Sequence, residues 1–203
     1  MISIAEFALF LGLGAIIGLF SGFLGLGGGI LILPLLPMVS PISQHEVIGT
    51  SLFSILLIVI NNSFSFHRKS LITWPIVFAM GPLTGIAAFF AAKLGLDLPA
   101  FTLKATLGIL FFVFGIITLL RKTPKVNRGL YIEGAMTSRI WIFLLMTSLT
   151  AGAISGFTGI GSGLILGLVL LNSRVLSNER LSPASNAIMI FTCSCGIIPY
   201  LLA

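Results

Sequence analysis

A glycine-rich apolar segment occurs twice in this chain, and the second copy begins 134 residues after the first. The first copy, at residues 21–37, places five glycines within an apolar run. Glycine destabilises a helix interior and permits backbone conformations that other residues avoid. The duplication therefore predicts two homologous repeats, each opening with a glycine-broken or re-entrant helix. The correspondence pairs Ser21, Gly22, Phe23, Gly25, Gly27 and Gly29 with Ser155, Gly156, Phe157, Gly159, Gly161 and Gly163.

The composition is that of an integral membrane protein. Of the 203 residues, 57% are hydrophobic and 8% are charged, and several apolar runs approach the length that crosses a bilayer. Lys and Arg outnumber Asp and Glu by 11 to 5, but the basic residues lie between the apolar runs and are typical of cytoplasmic topology signals. Because the sequence has no zinc-finger or RNA-binding motif, we expect no nucleic-acid partner.

The apolar runs predict an all-α protein with about six membrane segments. Residues 4–38 would form a helix about 50 Å long, which exceeds a hydrocarbon core of about 30 Å, and residues 140–171 are also too long for one crossing. A basic linker at 122–139 separates a first repeat at 1–121 from a second, incomplete repeat at 140–203. The remaining predicted segments are 47–66, 72–92, 101–120 and 184–203.

The positions of the basic residues favour a glycine-broken element that enters the membrane and returns to the same side. If the element crosses, Lys and Arg divide seven to four between the two sides; if it returns, they divide nine to two. The positive-inside rule favours the second arrangement, which makes the two repeats inverted. The nine residues are then Arg68, Lys69, Arg121, Lys122, Lys125, Arg128, Arg139, Arg174 and Arg180, opposite Lys93 and Lys104.

The glycine breaks are candidate anion sites. A half-helix that begins after the glycines presents unpaired N–H groups and the positive end of its dipole at membrane depth. Glycines at four-residue spacing are also common helix-packing devices, so packing is the alternative for any single pair. The candidate substrate-binding residues are Gly25, Gly27, Gly28, Gly29, Thr50, Ser51, Gly159, Gly161, Ser162, Gly163, Ser185 and Asn186.

These residues resemble the TauE/SafE family of membrane transporters, which includes sulfite exporters. The resemblance rests on Gly-Phe-Leu-Gly-Leu-Gly-Gly-Gly-Ile-Leu-Ile-Leu-Pro-Leu-Leu at 22–36, followed by Val-Ile-Gly-Thr-Ser at 47–51. It implies transport of small sulfur-containing oxyanions, such as sulfite or sulfonates, across the bacterial inner membrane. The second repeat departs from the family pattern at Ser162, in place of Gly28, and at Leu168, in place of Pro34, and it ends without counterparts of residues 72–120.

Two other function classes are alternatives to transport. An intramembrane serine protease would need Gly-x-Ser-Gly and a membrane histidine, whereas His45 and His67 lie in predicted loops, so we expect no enzyme, metal or cofactor. The incomplete second repeat also fits a non-transporting assembly protein or an inactive truncated transporter. A homo-oligomer, or a partner that supplies further helices, would complete the fold.

Overall fold

The computed structural model describes residues 11–12, 14–19, 29–39, 42–120, 138–173 and 175–202. The described part of the chain is helical and contains no strand. The predicted site residues Gly25, Gly27 and Gly28, and residues 122–137 of the predicted linker, lie outside it. The helices are α1 (Gly29–Val39), α2 (Gln44–Arg68), α3 (Trp74–Leu96), α4 (Ala100–Leu120), α5 (Ser138–Thr158), α6 (Gly163–Ser173) and α7 (Asn178–Leu202).

Four of these helices, α2, α3, α5 and α7, are long and apolar enough to cross a membrane. By contrast, α1 and α6 have 11 residues each and are about 16 Å long, roughly half of a hydrocarbon core. The chain is therefore an all-α membrane protein in which full-length helices accompany two half-length helices.

Two helices begin earlier than the apolar runs predict. The side chain of Ser43 accepts a hydrogen bond from the N–H of Glu46, and the Glu46 carboxylate accepts one from the N–H of Ser43. This capping box starts α2 at Gln44 rather than at residue 47. The predicted start of the last segment at residue 184 is wrong, because α7 begins at Asn178. Glu179 lies in the first turn, where the helix dipole favours a carboxylate.

The directions of the long helices follow from their contacts. Near one end of α2, a Cβ added at Gly49 would lie 3.2 Å from the Cβ of Tyr200; nearer the other end, Asn62 bonds Asn186. Residue numbers thus rise along α2 as they fall along α7, so these two helices are antiparallel.

The helix α3 lies between α5 and α7 and runs parallel to both. A Cβ added at Gly152 or Gly156 of α5 would meet the carbonyl oxygens of Thr84 and Ala88, respectively. Small residues at this spacing let the two backbones approach closely. On the α7 side, Gly81 faces Phe191 and Gly85 faces Cys195, again with numbers rising together.

Because α5 and α7 run in the same direction, the chain between Thr158 and Asn178 returns to the end of the bundle at which α5 begins. The half-length helix α6 makes most of this return. Its bounds lie 134 residues after those of α1, and the bounds of α7 lie 134 residues after those of α2.

Candidate functional site

The second glycine motif forms a buried break between α5 and α6. Regular helix ends at Thr158 and resumes at Gly163, and residues 159–163 are all buried. Gly159 and Gly161 have φ angles of +72° and +85°, a region in which a Cβ is strongly disfavoured. Both positions therefore require glycine for the path of the backbone, independently of any ligand.

The helix α2 fixes the break through Ser51. The Ser51 hydroxyl is fully buried and donates a 2.7 Å hydrogen bond to the carbonyl oxygen of Gly159. The start of α1 meets the same loop, since a Cβ added at Gly29 would lie 2.7 Å from the carbonyl oxygen of Ile160 and 3.0 Å from that of Gly159. The first residue of one half-length helix therefore lies against the break that precedes the other.

The helix α7 closes the other side of the break. The hydroxyls of Ser162 and Thr192 are 2.9 Å apart and both residues are fully buried. The Met189 side chain lies against Gly161 and Gly163, so a Cβ added at Gly163 would meet its sulfur atom. In this structure Met189 thus covers the amino-terminal end of α6.

The break offers hydrogen-bond donors without a formal positive charge. The N–H of Leu166 bonds the carbonyl oxygen of Ser162 and begins the ladder of α6. The N–H groups of the preceding turn have no intrahelical acceptor, and the helix dipole adds about half a positive charge there. Within the described ranges, no three His, Cys, Asp or Glu side chains come together as possible metal ligands.

Three predicted site residues lie away from the break. Thr50 is exposed on the outer side of α2, where it lines an apolar groove together with Gly14 and Gly18. Ser185 and Asn186 are buried about one turn along α7 from Met189. Asn186 donates to the carbonyl oxygen of Ser182 at 2.8 Å and accepts a 3.3 Å hydrogen bond from Asn62. Asn62 therefore joins α2 to α7.

Sequence reasoning missed Met189 and Thr192, which both lie against the break. Their equivalents at the offset of 134 are Ile55 and Ile58, so the repeat gave no signal for either residue. Ser155 is fully buried, and its hydroxyl has no hydrogen-bond partner among the described residues. Its place in the repeated Ser-Gly-Phe motif could have identified Ser155 as a further candidate site residue.

A family model described as "Sulfite exporter TauE/SafE" matches residues 10–203 of this chain. The chain belongs to the TauE/SafE family. This membership confirms the resemblance that the glycine motif indicated, and it extends the match through both copies of the motif. No solved structure matches the chain.

Curated relatives of this TauE/SafE protein carry names that describe transport. A probable membrane transporter protein of Bacillus subtilis is 27% identical over 163 residues, which are 77% of this chain and 64% of the relative. A probable membrane transporter protein of Xylella fastidiosa is 28% identical over 159 residues, which are 77% of this chain and 59% of the relative. A probable membrane transporter protein of Methanocaldococcus jannaschii is 26% identical over 196 residues, which are 94% of this chain and 70% of the relative. The chain thus spans about six-tenths of the length of the first two relatives.

Proposed function

We propose that this TauE/SafE protein is a secondary transporter or facilitator that moves small sulfur-containing oxyanions across the bacterial inner membrane. The observation that carries the proposal is the buried start of α6 at Gly163, which follows a backbone break between the membrane-spanning helix α5 and the half-length helix α6. The description of the matching family, a sulfite exporter, supports the substrate class.

The chemistry of the break suits an oxyanion. Sulfite and sulfonates present several oxygen acceptors, and the first turn of α6 presents N–H donors together with the positive end of a dipole. The hydroxyls of Ser162 and Thr192 add donors that can turn toward a bound oxygen. Backbone and hydroxyl donors hold an anion without the cost of a lysine or arginine in hydrocarbon.

Inverted repeats would give this site access to both faces. The antiparallel packing of α2 and α7, together with the equal offset between their bounds, supports an inverted relation between the repeats. Under that relation α1 is the counterpart of α6, and Gly29 brings its start to the loop at residues 159–160. In secondary transporters, broken half-helices at a repeat interface are the usual substrate site.

Met189 would act as the cover of this site. It has an unbranched, flexible side chain, and it lies against Gly161 and Gly163 where the anion would approach α6. Residues 159–163 are buried. The site would therefore have to open for an anion to enter, and a change of the Met189 rotamer would open it.

Flux of radiolabelled sulfite into proteoliposomes tests this function directly. With a membrane potential imposed, we expect saturable sulfite uptake that short sulfonates inhibit and chloride does not. Uptake equal to that of protein-free liposomes would overturn the proposal. In that case the protein would fit the alternative of a non-transporting membrane assembly protein.

A further inference from the structure

The serine that precedes α6 does not cap that helix with its side chain. Ser162 holds the capping position, because its carbonyl oxygen accepts the first backbone bond of α6, from the N–H of Leu166. Its hydroxyl, however, bonds Thr192 of α7 at 2.9 Å. Ser43, in the same position before α2, uses its hydroxyl oxygen to accept from the N–H of Glu46. The two serines thus differ in what the side chain bonds, although the backbone places them alike.

The first turn of α6 therefore keeps its backbone donors. Among the described residues, none accepts a hydrogen bond from the N–H of Gly163, Leu164 or Ile165. A serine in the capping position commonly accepts from the second or third N–H of the helix, as Ser43 does in α2. The unpaired N–H groups of α6 are the donors that the proposed anion site needs.

The surroundings of Thr192 set the direction of the bond between the two hydroxyls. Its hydroxyl lies 3.3 Å from the carbonyl oxygen of Ile188, one turn earlier on α7, and donates to that oxygen. Because a hydroxyl has a single proton, Thr192 then accepts from Ser162. Both side chains are fully buried, where each polar group needs a partner within the protein. The bond to Thr192 therefore holds the Ser162 side chain toward α7.

The two hydroxyls occur together in the second copy of the glycine motif and are both missing from the first. At the offset of 134, Ser162 corresponds to Gly28 and Thr192 corresponds to Ile58. Glycine has no side chain that could cap the helix after it, so a threonine facing Gly28 would have no hydroxyl to hold. A role of Thr192 that depends on Ser162 accounts for this pairing.

We propose that Thr192 is a positioning residue that keeps the hydroxyl of Ser162 from capping α6 and so leaves the N–H groups of the first turn to the anion. The proposal rests on the proposed function, because it assigns the anion to that turn. It differs from a direct role in which both hydroxyls donate to the anion. The two roles predict opposite results when both hydroxyls are removed.

Sulfite uptake by variants reconstituted in equal amounts separates these roles. In Thr192→Val, which keeps the shape of the side chain, the Ser162 hydroxyl is released and accepts an N–H that the anion would use. Loss of one hydrogen bond to a charged group should raise the KM for sulfite by about tenfold, with little change in the maximal rate. Thr192→Ser, which keeps the hydroxyl, should restore the KM of the wild type.

The double variant Ser162→Ala with Thr192→Val decides between the two roles. It has no hydroxyl that could cap α6, so its KM should fall below that of Thr192→Val and match that of Ser162→Ala. A KM equal to or above that of Thr192→Val would overturn the proposal in favour of direct donation by both hydroxyls. An unchanged KM in Thr192→Val would also overturn it.

Thr84→Val is the matched control for the loss of a buried threonine hydroxyl. Thr84 is also fully buried, and its hydroxyl donates within its own helix, to the carbonyl oxygen of Gly81. Thr84→Val should therefore leave the KM for sulfite unchanged. A rise equal to that of Thr192→Val would overturn the proposal, because the effect would then not depend on contact with Ser162.

Amide-proton chemical shifts test the effect of Thr192 without any substrate. In isotope-labelled protein in detergent micelles, the amide proton of Leu164 or Ile165 should move downfield in Thr192→Val, since it gains a hydrogen bond, and should not do so in the double variant. Unmoved amide protons in Thr192→Val would overturn the proposal. If they move but the wild type takes up no sulfite, the proposed function fails while the effect of Thr192 on Ser162 stands.

Discussion

The hydroxyl of Ser51 donates a hydrogen bond to the carbonyl oxygen of Gly159 across 2.7 Å and 108 residues of sequence. This bond joins the first half of the chain to the break in the second half. Gly159 has a φ angle of +72°, so its carbonyl oxygen lies outside any regular helical ladder. The geometry of the break therefore depends on a residue of the other half of the molecule.

The variant Ser51→Ala should lower the stability of the folded protein. It leaves the buried carbonyl oxygen of Gly159 without this partner, and an unpaired buried acceptor costs about 1–3 kcal/mol. Thermal unfolding in detergent, followed by tryptophan fluorescence, would show a lower midpoint for Ser51→Ala. The neighbouring Thr50→Ala is the control and should leave the midpoint nearly unchanged, because Thr50 is exposed. Equal midpoints for the two variants would contradict this account of the break.

The amide pair between α2 and α7 should contribute modestly to stability. Interhelical hydrogen bonds in membranes average about 0.6 kcal/mol. We therefore expect Asn62→Leu to destabilise the protein by about that amount, whereas Asn61→Leu, at an exposed neighbouring position, should have no effect. Chemical denaturation in mixed micelles would measure both. A larger loss for Asn61→Leu than for Asn62→Leu would rule out the pairing with Asn186.

Gly152 should tolerate no side chain. A Cβ at this position would meet the backbone of Thr84, which cannot move without shifting α3. Such overpacking costs about 1–3 kcal/mol, so Gly152→Ala should lower the unfolding midpoint. Gly108→Ala on α4 is the control, because a Cβ there would have no atom within 4 Å. A midpoint for Gly152→Ala at or above that of Gly108→Ala would contradict the described packing of α3 against α5.

Cysteine labelling from outside the cell would test the direction of the broken element. In a background with Cys193→Ala and Cys195→Ala, the structure predicts that cysteines at Lys69 and Ser177 lie at one end of the bundle and a cysteine at Asp97 at the other. The positive-inside rule places Lys69 and Ser177 in the cytoplasm.

An impermeant maleimide should therefore label the Asp97→Cys variant in intact cells and label the other two only after permeabilisation. If the broken element crossed the membrane instead, Ser177→Cys would be labelled together with Asp97→Cys. That result would contradict the parallel arrangement of α5 and α7.

The sequence predicted the presence and place of the second break, because glycines at 159, 161 and 163 recur at a fixed offset from the first copy. It also predicted Ser51 as a site residue; Ser51 contacts the break, and its part in binding stays a prediction. It could not predict that Met189 and Thr192 contact the break. The residues around an apolar side chain or a threonine on a membrane helix do not indicate which neighbour that side chain faces. The sequence could not predict that Asn62 pairs with the buried Asn186, because the two residues are 124 positions apart. Such contacts depend on the crossing of α2 and α7, and periodicity within one helix does not determine a crossing.

We propose that the break between α5 and α6 holds the transported anion, and paired sulfite flux measurements on Gly161→Ala and Gly167→Ala test this most directly. Gly161 has a φ angle of +85°, whereas Gly167 lies within α6 with open space for a Cβ. Backbone strain of about 1–3 kcal/mol at Gly161 should displace the start of α6. We predict that Gly167→Ala transports sulfite like the wild type and that Gly161→Ala, reconstituted in equal amount, loses flux about tenfold or more. Equal flux from both variants would contradict the claim.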